Sequence, residues 1–259
     1  MPDALKVKAD GPVAFITLSR PEKRNAISPQ MIDEFFAALD LVEAGPSRVA
    51  ILTGEGPAFC AGMDLDYLAG VAGQSHAQNL TDARRTASLF RRLWSFGKPL
   101  IAAVNGPAIA GGCGLATLCD FTLAAENATF GYTEVRVGFM PALVSLFLER
   151  QVGEKIARDL LLTGRIVDAR EAAALGLVKR VVSAEQLIPS ARELASSLIA
   201  YSPGSLQATK RLMVRSSEAE IDKGIEWAIE ESAAIRATTD FREGLAAFLE
   251  KRKPQWTGR

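Results

Sequence analysis

This chain of 259 residues lacks an excess of either charge, because 30 lysines and arginines balance 30 aspartates and glutamates. A neutral chain has no long-range field to recruit nucleic acid or an anionic membrane, so an anionic ligand must be held by local groups. No hydrophobic run reaches the roughly 18 residues of a membrane span, and the opening stretch MPDALKVKADG lacks the apolar core of a signal peptide. We therefore expect a cytoplasmic protein without nucleic-acid or membrane partners.

Cysteine and histidine are scarce as well, with three cysteines and one histidine. Cys60, Cys113 and Cys119 form no CxxC pair and lie in apolar stretches, which is typical of reduced, buried thiols. His76 stands alone in a polar stretch, which argues against Ser-His peptidase chemistry. Because HExxH, dinucleotide-binding and phosphate-loop motifs are also missing, we expect no metal and no redox cofactor.

Apolar residues make up 48% of the chain, which is enough for a large core. The first half alternates between strand and helix patterns: a hairpin around Asp10-Gly11, a helix from Ser28-Pro29 to about Glu43, and buried strands at 48–53 and 100–104. After Gly138 the pattern is mostly helical, with a strand-like stretch at 178–182 and helix starts near Asp168, Ser183, Pro203 and Asp240. Periodicity alone predicts an α/β fold with a helical tail.

Two glycine turns follow buried strands. Gly111-Gly112 opens a helical segment that stops near Asp120, and Gly62 precedes another helix start. Glycine lets a ligand approach the backbone, and the first amides of a helix, which have no intrahelical partner, can hold an oxyanion. A lone glycine pair more often serves only close packing, but two such turns can converge on one carbonyl oxygen.

The segments around these turns resemble the enoyl-CoA hydratase/isomerase family, also called the crotonase family. Residues 58–64 (AFCAGMD) and 105–120 (NGPAIAGGCGLATLCD) match the family patterns AFxAGxD and NGxAxGGGxELAxxCD. Further matches lie at 21–26, 162–165, 172–178 and 244–252. The resemblance implies a crotonase-like α/β spiral of repeated ββα units in residues 1–200, which holds the acyl-CoA site. It also implies a helical oligomerisation region in residues 201–259, assembled as homotrimers or homohexamers.

The resemblance assigns three catalytic positions. Met63 and Gly111 occupy the places of the two oxyanion-hole amides, and Glu134 occupies the place of the second catalytic glutamate. The first glutamate of the family pattern is Gly114 here, which can neither hold a water nor carry a proton. In the next loop, where the family has PGxGGT, the amide that faces the reacting water would be that of Ala142.

Further positions match the substrate site of the family. Coenzyme A, as part of the substrate, is expected to meet Lys23, Arg24, Phe248 and Lys251, the last two reaching from a neighbouring subunit. Lys251 can equally be a solvated lysine at a helix end. The acyl pocket is expected to include Ala61, Asp64, Leu65, Asp66, Gly114 and Tyr132. For Asp64 and Asp66 a role at the helix start, and for Tyr132 a role as a packed aromatic, are the alternatives from the residues alone.

The function implied is hydration of a 2-enoyl-CoA or a shift of the double bond from position 3 to position 2. Family usage favours hydration, whereas a single carboxylate is sufficient for the shift. The alternative is a non-catalytic acyl-CoA-binding or assembly subunit with a degenerate site, against which the intact Glu134 argues. Four arginines, Arg84, Arg85, Arg91 and Arg92, either meet an acidic acyl group or face water.

Overall fold

The computed structural model describes residues 3–71 and 73–259, which form nine strands and eleven α-helices. The strands are β1 (Leu5–Asp10), β2 (Val13–Leu18), β3 (Val49–Gly54), β4 (Leu100–Val104), β5 (Ala108–Ile109), β6 (Phe121–Ala125), β7 (Thr129–Gly131), β8 (Ile166–Asp168) and β9 (Arg180–Val182). The helices are α1 (Pro29–Ala44), α2 (Leu65–Val71), α3 (His76–Trp94), α4 (Gly111–Thr117), α5 (Ala142–Val152), α6 (Glu154–Thr163), α7 (Ala169–Ala174), α8 (Leu187–Ile199), α9 (Pro203–Arg215), α10 (Glu218–Ile235) and α11 (Thr239–Leu249).

The main sheet has the order β1-β2-β3-β4-β6-β9. The β1–β2 hairpin around Asp10-Gly11 and the buried strands at 48–53 and 100–104 are present as predicted. The hairpin is antiparallel, and the other pairs of the main sheet are parallel. A second sheet, β5-β7-β8, contains a strand that the sequence did not reveal, Ile166–Asp168. Three residues are too few to show a period of two, so this strand is defined only by its partner β7.

The core lies on both faces of the main sheet, which explains why the central strand β4 is buried at every residue. On one face, α8 packs its buried residues Leu187, Ala191 and Ala195 against β3, β4 and β6. The other face carries the larger core. The carboxyl ends of β3 and β4 thereby deliver both glycine turns to one end of the sheet.

Two of the predicted helix starts have side-chain caps. Ser28 caps α1 by accepting a hydrogen bond from the Met31 amide at 3.2 Å, as predicted. The helix start predicted near Asp240 is found at Thr239, and the cap is Thr238, whose hydroxyl accepts from the Phe241 amide at 3.1 Å. The Asp240 carboxylate instead accepts hydrogen bonds from the backbone amides of Thr257 (2.7 Å) and Gly258 (2.9 Å). It therefore holds the last residues of the chain against α11.

The helical C-terminal region packs on the first half of the chain. Helix α10 lies against α3 and α5, and α11 lies against a short 3₁₀ turn, Glu134–Val137. The contact with α11 is made between backbones: a Cβ on Gly138 would lie 2.3 Å from the Asp240 oxygen, and one on Gly244 would lie 2.4 Å from the Val137 carbonyl carbon. Because both positions must be glycine for this approach, α11 has a fixed place on the segment that carries Glu134.

Cys60, Cys113 and Cys119 are free and buried, as their apolar neighbours predicted. Burial raises the pKa of the Cys113 thiol to about 12, so this residue is protonated and unreactive at neutral pH. Within residues 3–71 and 73–259, no group of His, Cys, Asp or Glu side chains is arranged to hold a metal ion. None of the helices in those ranges combines the length and apolarity needed to cross a membrane.

Candidate active site

A cavity of about 610 Å³ opens where the two glycine turns meet the helical C-terminal region. Its walls come from the loop at residues 22–26, the starts of α2, α4 and α5, the 3₁₀ turn, and one side each of α3, α10 and α11. Most of the side chains in the wall are apolar, so charges developed inside are poorly screened. Residues of both glycine turns line this one cavity, whereas their role in holding a carbonyl oxygen stays a prediction.

The two turns converge closely. A Cβ built on Gly62 would lie 3.6 Å from the Gly111 nitrogen, and both Met63 and Gly111 line the cavity. Neither of their backbone amides donates a hydrogen bond to another residue in the described part of the chain. Ala110, between β5 and α4, has φ +51° and ψ −126°, a conformation that L-residues rarely adopt. Two free amides at a strained turn are an arrangement able to hold an oxyanion.

The turns are locked to each other by backbone contacts. The Ile109 amide donates to the Cys60 carbonyl at 2.9 Å, and a Cβ on Gly112 would lie 2.3 Å from that same oxygen. The second glycine of the Gly111-Gly112 pair is therefore required for packing, whereas the first contributes its amide to the cavity. Of the two roles considered for a glycine pair, close packing therefore applies to Gly112, and access to the backbone applies to Gly111.

The loop at the cavity's open end, which we call the mouth loop (residues 22–26), is held by one buried amide. The Asn25 side chain donates to the carbonyls of Glu55 (2.9 Å) and Ala58 (2.8 Å) and accepts from the Arg20 amide (2.9 Å). Arg24 and Asn25 both have positive φ, a backbone conformation that is unfavourable for residues other than glycine, and these hydrogen bonds stabilise it. Lys23 and Arg24 are thereby presented at the cavity.

Two buried carboxylates line the cavity, and they differ in their partners. Asp64, at the start of α2, is paired with the Arg20 guanidinium at 2.9 Å and accepts from the Asp66 amide at 3.1 Å. Glu134 is 9% exposed, and its Oε2 has no hydrogen-bond partner among the described residues. Burial raises the pKa of Glu134 to about 7, against a smaller opposing effect of its own backbone amide. Such a carboxylate is suited to exchange protons at neutral pH.

Gly114 does not line the cavity, contrary to the prediction that it contributes to the acyl pocket. A Cβ on this residue would lie 2.5 Å from Cγ1 of Val144 and 2.7 Å from Cε1 of Phe90. These two side chains, 5% and 2% exposed, form the wall in front of it. The place where a side chain of residue 114 would enter is therefore filled, and not left open for water.

Two further predictions are wrong on placement. Tyr132 is 1% exposed and lies behind the wall, its hydroxyl 3.1 Å from that of Thr117, so the alternative of a packed aromatic holds. The Ala142 amide is not available to a water, because it donates to the Met140 carbonyl at 2.8 Å across Pro141. Lys251 does not line the cavity of its own chain, and its contact with coenzyme A in a neighbouring subunit stays a prediction. Ala142 itself lines the cavity, beside Glu134.

Other predicted positions do line the cavity. Ala61, Leu65 and Asp66 contribute to the wall near the mouth loop, where Asp66 accepts a hydrogen bond from Lys23 at 2.6 Å. Phe248 also lines it, but it does so in its own chain, because α11 folds back over the Glu134 segment. That it also reaches the coenzyme A of a neighbouring subunit stays a prediction.

The arginines of α3 do not meet an acyl group. Arg85 pairs with Asp33, Arg91 with Asp222 and Glu218, and Arg92 with Asp40 and Glu43, while Arg84 is exposed. The buried arginine that does line the cavity is Arg236, just after α10. Sequence reasoning missed it because no motif marks it. Its salt-bridge partner, Asp82, lies 154 positions earlier.

Comparison with known proteins adds independent information. A family model described as enoyl-CoA hydratase/isomerase matches residues 8–259. A putative enoyl-CoA hydratase of Thermus thermophilus is 45% identical over 95% of this chain and 98% of its own length. The 2,3-dehydroadipyl-CoA hydratase of Escherichia coli is 38% identical over 95% and 96%. The crystal structure of an enoyl-CoA hydratase/isomerase from Xanthobacter autotrophicus Py2 has a TM-score of 0.88 at 35% identity, covering 96% of this chain and 97% of that one.

Proposed function

The chain belongs to the enoyl-CoA hydratase/isomerase family, and from that premise we propose that it shifts the double bond of a 3-enoyl-CoA to position 2, with Glu134 as its one acid/base group. The observation that carries this proposal has two parts. Oε2 of the buried Glu134 has no hydrogen-bond partner among the described residues, and the space beside Gly114 is filled. An isomerase needs only one group that takes a proton from one carbon and returns it to another. A carboxylate at position 114 would have no room, and the second carboxylate in the wall, Asp64, is paired with Arg20.

In this mechanism Glu134 removes a proton from C2 of the bound 3-enoyl thioester. The C–H electron pair then delocalises onto the thioester oxygen as an enolate, which the backbone amides of Met63 and Gly111 stabilise. The protonated Glu134 returns the proton to C4, and the double bond comes to rest between C2 and C3. The apolar wall supports this step because it excludes water from the enolate.

Coenzyme A would enter along the mouth loop. Lys23 and Arg24 lie there, and Arg136 of the 3₁₀ turn also lines the cavity. These three positively charged side chains are available to bind the phosphates. Asp66 offsets the charge of Lys23, which makes Arg24 the more effective phosphate partner of the two. Phe248 offers a half-exposed apolar face beside them, which suits the pantetheine or the adenine.

Hydration of a 2-enoyl-CoA is the second candidate function. The names of the relatives from Thermus thermophilus and Escherichia coli favour it. It would require Glu134 to activate the water and to supply the proton to C2 without a second carboxylate. The Ala142 amide, engaged with Met140, offers no help. A non-catalytic subunit is a weaker alternative, because a dead site gives no reason to keep a buried glutamate without a cation.

The two catalytic candidates are separated by the mass of the product. We expect 3-hexenoyl-CoA to be converted to 2-hexenoyl-CoA of unchanged mass, with no more than about 1% of the rate going to a product heavier by one water. Liquid chromatography with mass spectrometry measures both products in one reaction. If 2-hexenoyl-CoA is converted mainly to the hydrated product, the function is hydration and not isomerisation. If neither thioester is turned over, the non-catalytic alternative is favoured.

Activity should depend on pH in the direction set by Glu134. Because the ionised carboxylate accepts the proton, kcat/KM should rise about tenfold per pH unit below a midpoint near pH 7 and level off above it. A carboxyl group with its ordinary pKa would place the midpoint near 4.5 instead. A rate profile between pH 5 and 9 distinguishes the two, and a flat profile over this range would contradict a base whose pKa is raised to about 7.

A further inference from the structure

Three buried polar side chains line the cavity, whose wall is otherwise mostly apolar. Thr86 of α3, Ser232 of α10 and Arg236 are 8%, 7% and 3% exposed. In the mouth loop, Glu22, Lys23 and Arg24 are instead exposed. The proposed proton transfer at the thioester uses none of the three buried side chains. Because they are buried, they suit contact with an enclosed acyl chain and not with the coenzyme A that would enter along the mouth loop.

Arg236 is only partly engaged by the protein. Its Nη1 donates to Oδ2 of Asp82 at 2.5 Å, and the Tyr67 hydroxyl donates to the other oxygen of the same carboxylate. In the described part of the chain, that is the guanidinium's single hydrogen bond, and Nε is buried without any partner. The guanidinium carbon lies 5.7 Å from the centre of the Phe139 ring, which limits its movement.

A guanidinium carries five N–H donors in a planar fork. A salt bridge that merely joins α3 to α10 would be complete with Nη1 and Asp82, and it leaves the remaining donors unexplained. Burying donors without partners is costly, so such groups in a cavity wall indicate a missing acceptor. Since Asp82 neutralises the charge of Arg236, the acceptor can be an uncharged carbonyl as well as a carboxylate.

We propose that Arg236 donates to an oxygen at the far end of the acyl chain, so that the preferred thioesters end in a carboxylate or carbonyl and not in a methyl group. This specificity rests on the proposed function only in that the ligand is an acyl-CoA. Thr86 and Ser232 also line the cavity, where the Thr86 hydroxyl already donates to the Asp82 carbonyl at 3.2 Å. An acyl chain without a distal oxygen would leave the free donors of Arg236 unpaired on binding.

Saturated thioesters test this without requiring turnover. Adipyl-CoA, its distal methyl ester and hexanoyl-CoA have comparable chains and differ at the far end, and calorimetry on the wild-type protein compares their affinities. We expect one or both oxygen-bearing thioesters to bind about 10- to 100-fold more tightly than hexanoyl-CoA. If adipyl-CoA binds more tightly than its methyl ester, the group that Arg236 binds is a carboxylate. If the two bind equally tightly, and both more tightly than hexanoyl-CoA, an uncharged oxygen is sufficient. Equal or tighter binding of hexanoyl-CoA would overturn the proposal.

A pair of variants assigns the preference to Arg236. Arg236→Leu combined with Asp82→Asn removes both charges, so that no unpaired ion remains, and should bring the affinity ratio to about one. Arg91→Leu is the matched control, because Arg91 also joins α3 to α10 through ion pairs but does not line the cavity; it should keep the wild-type ratio. A purely structural Arg236 would lower all affinities together and leave their ratio unchanged. Turnover is measured separately, so loss of the proposed isomerisation does not affect this result.

Discussion

Replacing Glu134 with glutamine is expected to lower kcat by about four orders of magnitude, because an amide cannot accept the proton from C2. Side-chain volume is preserved and the amides of Met63 and Gly111 are untouched, so binding of a saturated thioester should change little. Steady-state kinetics with 3-hexenoyl-CoA and calorimetry with hexanoyl-CoA separate the two effects.

The same substitution should stabilise the protein. A folded-state pKa of about 7 against 4.5 means that the folded chain holds a proton that the unfolded chain releases, so native stability falls as pH rises through this window. Above pH 7 the buried charge costs about 3 kcal/mol, which glutamine avoids. Urea unfolding at pH 8 should show this gain, and it should vanish near pH 4.5.

Glu126→Gln provides the control for both measurements, because Glu126 is an exposed glutamate outside the cavity. It should leave kcat and the free energy of unfolding close to wild type. A Glu134→Gln variant that retains near-normal turnover would refute the mechanism. One that loses stability at pH 8 would show that Glu134 is held by contacts and is not an isolated buried charge.

Introducing the family's first glutamate, Gly114→Glu, is expected to destabilise the protein by about 3 kcal/mol or more and to add no hydration activity. The new Cβ would meet Val144 and Phe90 at less than 3 Å, and the carboxylate would have no cation. From the sequence alone this variant is instead a way to restore a hydratase. The structure reverses that expectation, because the space has been filled.

Two comparisons make this test specific. Gly70→Glu places the same side chain on a helix glycine with open space around it, and should be tolerated. Phe90→Ala/Gly114→Glu removes the obstructing ring and should recover part of the stability that the single variant loses. Urea unfolding measures all three. A stable Gly114→Glu variant with new hydration activity would contradict the account of Phe90 and Val144 as fillers.

The two glycine turns of the site could be predicted from the local sequence. The roles of Tyr132 and of the Ala142 amide depend on tertiary contacts. Gly62 and Gly111 are recognisable because glycine at a strand end has few other reasons to be there. Tyr132 was left with two possible roles, because an aromatic residue beside a family motif can either line a pocket or pack in the core, and only tertiary contacts decide between them. The engagement of the Ala142 amide depends on the conformation of Pro141, which no pattern in the sequence specifies.

Arg236, which sequence reasoning missed, and Phe248, which the resemblance named, both owe their position in the wall to long-range packing. Arg236 becomes a cavity residue only because α10 crosses α3 at Asp82, and Phe248 only because Gly138 and Gly244 let α11 approach the Glu134 segment. No motif marks the crossing at Asp82. The sequence could therefore name Glu134, Gly111 and Phe248, whereas the place of Arg236 emerges only from the fold.

The packing of α11 on Gly138 also sets an order of events during synthesis. Every motif that resembles a catalytic element emerges from the ribosome long before Gly244 does, yet the wall beside Glu134 is completed only by that last helix. A nascent chain can therefore form both glycine turns early, while its cavity stays open beside Glu134 until α11 has been released.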